Sequence, residues 1–308
     1  MKTKIKLISL LLMLSICTLM TPKKASAQWP VSFQVFYDEL SPYGSWVQNA
    51  NYGYVWVPTV EAGFTPYATN GHWVYTDEGW TWVSNYAWGW APFHYGRWFW
   101  DLIYGAMWIP DYQWGPGWVT WRSSNDYYGW APMGPYGYGY NVPYHQWTFV
   151  HSGDFGRTDI NNYYVSTTNN TTIINNTTVI NKTRVNSAGN VSYNAGPDKT
   201  EVEKHVGKPI AMVKVSEGGN IKPRENLNNN TLNIYKPQVQ KNTNSELKPA
   251  PAKVTDLKNV KTIQQRNAEA PVKKTNQINV KPSQGEIKKP SQPIQNQPKK
   301  PEGQKTIK

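Results

Sequence analysis

Aromatic and polar positions alternate with a period of two in the first half of the chain, between residues 44 and 132. Pairs such as Trp73 and Tyr75 therefore place two rings on one face of an extended strand. Short clusters rich in Asn, Asp and Gly, such as residues 76–79, separate the aromatic runs, and these clusters are typical of turns. Residues 40–150 contain no stretch with the length and periodicity of an amphipathic helix. The pattern predicts β-hairpins and an all-β fold.

The predicted hairpins recur along the sequence as an internal repeat. The first Trp of each unit follows a glycine by two positions, and a second Trp follows further on, giving Gly44, Trp46 and Trp56, then Gly71, Trp73 and Trp82, then Gly96, Trp98 and Trp108. A degenerate fourth copy is assigned to residues 117–132, from Gly117-Trp118 to Gly129-Trp130. Because a lone hairpin is marginally stable, we expect the units to combine into one sheet, a sandwich or a small barrel.

Composition divides the chain into four segments. Residues 1–27 carry early lysines, an apolar run and Ala25-Ser26-Ala27, the order of a secretory signal peptide. Residues 28–160 are predicted to form the Trp/Tyr-rich β-repeat domain, and residues 161–198 an Asn/Thr-rich, β-prone linker. Residues 199–308 are rich in Lys, Pro, Gln and Asn, which predicts a disordered basic tail.

Charge and cysteine content restrict the classes of function. Residues 28–160 hold three arginines and ten acidic residues, whereas residues 161–308 hold 24 basic and ten acidic residues. Because phosphate contacts need Lys and Arg, the acidic repeat domain argues against a nucleic-acid-binding fold. Cys17 is removed with the predicted signal peptide, so packing alone is expected to stabilise the mature protein.

The aromatic content of the repeat domain suggests a binding surface. Residues 28–160 contain 16 Trp, 16 Tyr and 7 Phe, more rings than a domain of this size is expected to bury. We therefore expect some rings to group on an exposed face, flanked by acidic side chains. The candidate ligand-binding residues are Trp80, Trp82, Trp88, Trp90, Trp98, Trp100, Asp77, Glu78 and Asp101. The alternative is that the rings form cross-strand ladders that only stabilise the hairpins.

Several motifs in the repeat domain resemble a known family. They are Tyr95-Gly96-Arg97-Trp98, Gly79-Trp80-Thr81-Trp82-Val83 and Gly129-Trp130-Ala131-Pro132. Their order resembles an uncharacterised family of exported, Trp/Tyr-rich bacterial proteins, and the resemblance extends from about residue 36 to residue 155. That family has no established activity, so the resemblance implies no catalytic residue.

Together these features predict a non-catalytic exported protein of the cell envelope, located in the periplasm, at the outer envelope or outside the cell. Its aromatic surface would bind envelope polysaccharide or peptidoglycan, through ring stacking on sugars or a caged cation. The basic tail would act as a tether to acidic polymers or anionic membrane. The alternative is a structural or scaffolding envelope protein with no small ligand.

An enzyme is the third alternative, in the form of a glycan-acting hydrolase. The histidines have no metal-ligand spacing, and no nucleophile motif or cofactor motif is found. We therefore predict no metal, no cofactor and no nucleic-acid partner. A pair of carboxylates for glycoside hydrolysis stays open, because their separation depends on the tertiary structure. His94 is the best single titratable candidate for catalysis, although a histidine among aromatic residues is more often a packed one.

Overall fold

The computed structural model describes residues 31–135, 142–186, 191–217, 224–240 and 248–270. Its strands are β1 (Gly44–Asn49), β2 (Gly53–Pro58), β3 (Gly71–Thr76), β4 (Gly79–Ser84), β5 (Tyr95–Asp101), β6 (Gly105–Trp114), β7 (Val119–Ser123), β8 (Tyr127–Pro132), β9 (Thr148–His151), β10 (Thr178–Ile180), β11 (Thr183–Val185), β12 (Ser192–Asn194), β13 (Lys214–Glu217), β14 (Glu225–Asn228) and β15 (Thr231–Ile234). The helices are short: α1 (Gln34–Leu40), α2 (Asn170–Asn175), α3 (Lys199–Val206) and α4 (Ile263–Glu269). The prediction of an all-β fold is confirmed.

Four hairpins form the centre of the fold, and each places one Trp directly opposite another. The cross-strand pairs are Trp46 with Trp56, Trp73 with Trp82, Trp98 with Trp108, and Trp121 with Trp130. All eight rings are buried, with 2% or less of their surface exposed. Facing rings of this kind stabilise a sheet through their contact area and edge-to-face geometry. The repeat in the sequence is therefore a repeat of cross-strand Trp pairs.

The glycine of the Gly-x-Trp motif makes room for an indole on the partner strand. A side chain at Gly71 would place its Cβ 2.5 Å from the Trp82 ring and equally close to the carbonyl oxygen of Val83. Gly44 has the same relation to Trp56, at 2.6 Å. The motif is thus a packing requirement, since an indole covers the backbone where a Cβ would be.

The fourth hairpin corrects the predicted alignment of the last repeat. Trp121, rather than Trp118, lies opposite Trp130. Trp118 belongs to a separate small cluster with Met133, Val191 and Tyr193. Val119 stands two positions before Trp121, so this hairpin lacks the Gly-x-Trp motif that marks the other three.

We expected one sheet, a sandwich or a small barrel; the described strands form several separate sheets and do not close a barrel. One four-stranded sheet has the order β1-β2-β6-β5, and another has the order β10-β7-β8-β9. Strands β3 and β4 form a two-stranded sheet of their own. This hairpin meets the fourth one through side chains, with the Trp73 and Trp121 rings 4.6 Å apart. Ring packing, which needs no strand register, replaces hydrogen bonding between these units.

The segments predicted to be linker and tail pack onto the repeat domain as far as residue 270. Strand β10 pairs with β7, and Leu232 and Ile234 of β15 are fully buried in the main core. The Tyr95 hydroxyl donates to the Pro237 carbonyl at 2.7 Å. The described residues thus form one compact unit ending at Ala270. The described residues between 161 and 270 belong to it, so the folded part of the chain extends beyond the boundaries predicted at residues 160 and 198. A few apolar anchors suffice here because the repeat domain already supplies a surface.

The last described segment covers the outer face of the first sheet. On that face Val47, Val55, Val57 and Met107 form an apolar cluster, against which Leu257 and Val260 pack. The Thr255 N–H donates to the Trp46 carbonyl at 2.7 Å. Residues 248–270 therefore complete the fold by shielding valines that the sheet alone would expose.

Two sequence predictions concern residues beyond the described ranges. The signal peptide assigned to residues 1–27 lies outside the described residues, and so does the part of the predicted tail from residue 271 to 308. In the ranges that are described, no helix combines the length and apolar character needed to cross a lipid bilayer.

Candidate functional site

Most of the rings predicted to form an exposed ligand-binding face belong instead to the core. The exposed fractions are 1% for Trp80, 0% for Trp82, 4% for Trp88, 1% for Trp90 and 2% for Trp98. The prediction that these rings face solvent is wrong. The prediction assumed that residues 28–160 alone must bury their rings, but the later segments also cover the repeat domain. Trp80, for example, donates its indole N–H to the Pro197 carbonyl at 3.0 Å.

Trp100 is the exception among the six candidate tryptophans, because its ring is only partly buried. It lines a cavity of about 130 Å³ whose polar walls are Glu61, Thr65, Arg266 and Asn267. We call this cavity the Trp100 cleft. Trp100 and Thr65 also line a smaller cavity of about 30 Å³, together with His145 and Gln146.

The β5–β6 hairpin positions Trp100 near its turn. Trp100 lies opposite Ala106, whereas Trp98 lies opposite Trp108. The small alanine side chain leaves space beside the Trp100 indole that a second Trp would occupy. Asp101 begins the turn, and its Oδ1 accepts hydrogen bonds from the backbone N–H groups of Ile103 and Tyr104 at 2.8 and 2.9 Å. Asp101 was predicted to orient a ligand, but its carboxylate serves the turn.

Helix α4 supplies the opposite wall of the cleft. Thr262 and Gln265 form a capping box that begins the helix. The Arg266 guanidinium donates from Nη2 to the Tyr104 carbonyl at 2.7 Å and from Nη1 to the Lys261 carbonyl at 3.2 Å. Partial burial lowers the pKa of Arg266, yet an arginine keeps its charge at neutral pH. The cleft therefore carries a fixed cation.

Glu61 contributes a carboxylate to the same cavity. Its Oε1 accepts a hydrogen bond from the Tyr86 hydroxyl at 2.5 Å. Burial of the phenol, together with this bond to Glu61, raises the pKa of Tyr86, so the hydroxyl stays protonated and keeps the carboxylate oriented. An indole, a carboxylate, a guanidinium, an amide and a hydroxyl thus line one small cavity, a set suited to binding a polyhydroxylated ligand.

The other two acidic candidates lie at the β3–β4 turn and line neither cavity at Trp100. Glu78 is buried and accepts a hydrogen bond from the Tyr193 hydroxyl. Asp77 is exposed, and its carbonyl accepts from Arg184 at 3.2 Å. Asp77 therefore contacts β11 and Glu78 contacts β12. Neither residue belongs to the site around Trp100.

His94, the candidate for catalysis, lies in a closed site. Its Nδ1 is 2.9 Å from the Gly115 carbonyl oxygen and its Nε2 is 2.9 Å from a Glu225 carboxylate oxygen. Neither side chain of the His94–Glu225 pair has any exposed area, and the imidazole stacks on Trp114 with centroids 5.3 Å apart. With no access for a substrate, the pair joins the repeat domain to the later segment.

Sequence reasoning did not find Arg266, Asn267 or Glu225, since all three belong to the segment predicted to be disordered. Within the described ranges, no three His, Cys, Asp or Glu side chains gather closely enough to hold a metal ion.

Comparison with known proteins agrees with the resemblance drawn from the motifs. Residues 37–137 match DUF6600, a family of unknown function. The DUF6600 match contains β1 through β8, and with them Glu61, Thr65 and Trp100, but not Arg266. No curated protein and no solved structure matches the chain. The Trp100 cleft is thus built partly from the DUF6600 region and partly from α4, which lies outside it.

Proposed function

We propose that this protein is a non-catalytic, exported component of the cell envelope that binds glycan in the Trp100 cleft. The observation that supports the proposal is the partly exposed indole of Trp100 among the polar side chains of Glu61, Thr65, Arg266 and Asn267. Export is proposed from the order of lysines, apolar residues and Ala25-Ser26-Ala27 at the N-terminus.

The chemistry of the cleft suits a sugar ring. The C–H face of a pyranose is apolar and can stack on the Trp100 indole, which gains contact area without losing a polar partner. Sugar hydroxyls both donate and accept, so they can pair with the Glu61 carboxylate and with the Asn267 amide. Arg266 adds a cation that would favour glycans carrying carboxylate groups.

Binding without catalysis is proposed because one carboxylate, rather than two, lines the Trp100 cleft in the described residues. Glycoside hydrolysis generally requires two carboxyl groups on either side of the scissile bond. Among the described residues that line the Trp100 cleft, Glu61 is the one carboxylate. It is also held by the Tyr86 hydroxyl.

The test is co-sedimentation of the full mature chain with insoluble peptidoglycan and with envelope polysaccharide. Trp100→Ala is expected to weaken binding about tenfold, which corresponds to about 1.4 kcal/mol. Tyr43→Ala is the matched control, because Tyr43 is an aromatic residue with 40% of its surface exposed, and it does not line the cleft. Equal binding by Trp100→Ala and the parent protein would contradict the proposal.

A structural role is the second candidate, favoured by the burial of five of the six candidate rings. In this case the repeat domain would be a rigid spacer or assembly unit, and the basic C-terminal segment its tether. Crosslinking in intact cells would then capture a protein partner or a second copy of the chain, while Trp100→Ala would leave both the crosslinks and glycan sedimentation unchanged.

A further inference from the structure

The turn between β5 and β6 exposes two adjacent large apolar side chains. Leu102 is 85% exposed and Ile103 is 57% exposed. We call these two residues the apolar tip. The hydrogen bonds to the Asp101 carboxylate and the positive φ of Gly105, 81°, define the turn. Since the turn needs only the backbone of residues 102 and 103, polar side chains would serve it equally well.

Basic residues lie beside the apolar tip. The Ile103 carbonyl accepts from the N–H of Ile263 at 2.8 Å, which fixes the start of α4 against the tip. Lys261 and Lys258 pair with Glu269 and Asp256, yet 62% and 77% of their side chains stay exposed. Residues 248–270 contain five basic and two acidic residues in all.

Residues 248–270 therefore carry an excess of three positive charges beside the exposed apolar tip. The attraction of such a segment for an anionic surface is strong at low salt and screened by ions.

We propose that the apolar tip inserts into the interfacial region of an anionic lipid bilayer, with the lysines of residues 248–270 attracting the headgroups. Neither contribution is sufficient by itself, because one small apolar anchor or one charged segment gives only weak, reversible binding, whereas the two together give stable attachment. The tip of a hairpin is suited to this depth, because the Ile103 and Tyr104 carbonyls already accept hydrogen bonds from α4. This membrane surface is a partner distinct from the proposed glycan.

The test is co-sedimentation of the full mature chain with vesicles of phosphatidylcholine alone or mixed with phosphatidylglycerol. The parent protein is expected to bind the mixed vesicles and to be released by high salt. The double variant Leu102→Ser with Ile103→Ser is expected to bind the mixed vesicles at least about tenfold more weakly, because two large apolar side chains are lost from the interface. Its denaturation midpoint should stay close to that of the parent, since both side chains are mostly exposed.

The matched control is Val185→Ser with Met212→Ser, which removes two side chains that are 55% and 56% exposed elsewhere on the surface. This control should bind vesicles like the parent. Three results would overturn the proposal: equal binding of the tip variant and the parent, equal binding of the parent to neutral and anionic vesicles, or equal losses in the tip variant and the control. The first would assign any binding to charge alone. The tip variant is expected to bind a soluble polyanion as the parent does, because its lysines are unchanged; an equal loss in this assay would also overturn the proposal.

Discussion

Replacing Glu225 by Ala should undock the later segment from the repeat domain. Glu225 and His94 are 131 positions apart in the chain, and their pair is closed to solvent. The other Glu225 carboxylate oxygen accepts the Ser84 N–H at 2.5 Å. Alanine at this position would therefore remove the buried acceptor from both His94 and Ser84.

The expected loss of stability is large. A buried polar group left without a partner costs about 1–3 kcal/mol, and Glu225→Ala leaves two such groups, the His94 imidazole and the Ser84 N–H. We therefore expect Glu225→Ala to lower the free energy of unfolding by about 2–6 kcal/mol. Glu225→Gln should cost less, because its amide oxygen can still accept from Ser84 while its NH₂ group donates to His94.

Glu217→Ala is the matched control on the same segment. The Glu217 carboxylate pairs with Lys236 at 2.7 Å, but its side chain is 49% exposed, so its loss should cost at most about 1 kcal/mol. The assay is equilibrium urea denaturation, with hydrogen exchange of the β14 and β15 amides as a local readout. Equal small shifts for Glu225→Ala and Glu217→Ala, without faster exchange in β15, would refute the docking of this segment through the buried pair.

Three further outcomes are expected from the fold. Gly71→Ala should lower the free energy of unfolding by about 1–3 kcal/mol, because its Cβ would lie 2.5 Å from the Trp82 ring. Gly153→Ala should cost less, because its Cβ would meet only the His205 carbonyl oxygen, at an ordinary contact distance of 3.6 Å. Burial raises the pKa of Tyr37 to about 12. The free energy of unfolding should therefore fall as the pH rises from 10 to 12, and urea denaturation should show a shallower fall for Tyr37→Phe. After limited trypsin digestion, the peptide containing residues 224–240 should co-elute with the repeat domain; its prompt release would contradict the packing of Leu232 in the core.

The hairpins could be predicted because their causes are local. The alternation of side chains along a strand and the turn residues between strands fix which rings share a face. The recurrence of Trp46, Trp73 and Trp98, at spacings of 27 and 25 residues, reflects the same local geometry. The fourth copy was misaligned because Val119 stands where the other copies have glycine, so that Gly117-Trp118 resembled the motif more closely.

The burial of those faces could not be predicted from the strands alone. Trp98 and Trp100 share one face of β5, yet Trp98 is buried while Trp100 is partly exposed. Trp98 lies opposite Trp108 in the middle of the hairpin, and Trp100 lies near its turn opposite Ala106. Periodicity reports the direction of a side chain, whereas exposure depends on what the rest of the chain places over it.

The later segment shows the same division between local and distant causes. Its composition predicted disorder, because so few apolar residues cannot form a core of their own. Leu232 and Ile234 need no core of their own, since they enter one that the repeat domain has already formed. The sequence by itself determined the aromatic hairpins and the family resemblance, which depend on neighbours along the chain. Only the tertiary structure decided that Trp100, Glu61 and Arg266 line one cavity, because contacts between residues more than 150 positions apart depend on how the whole chain packs.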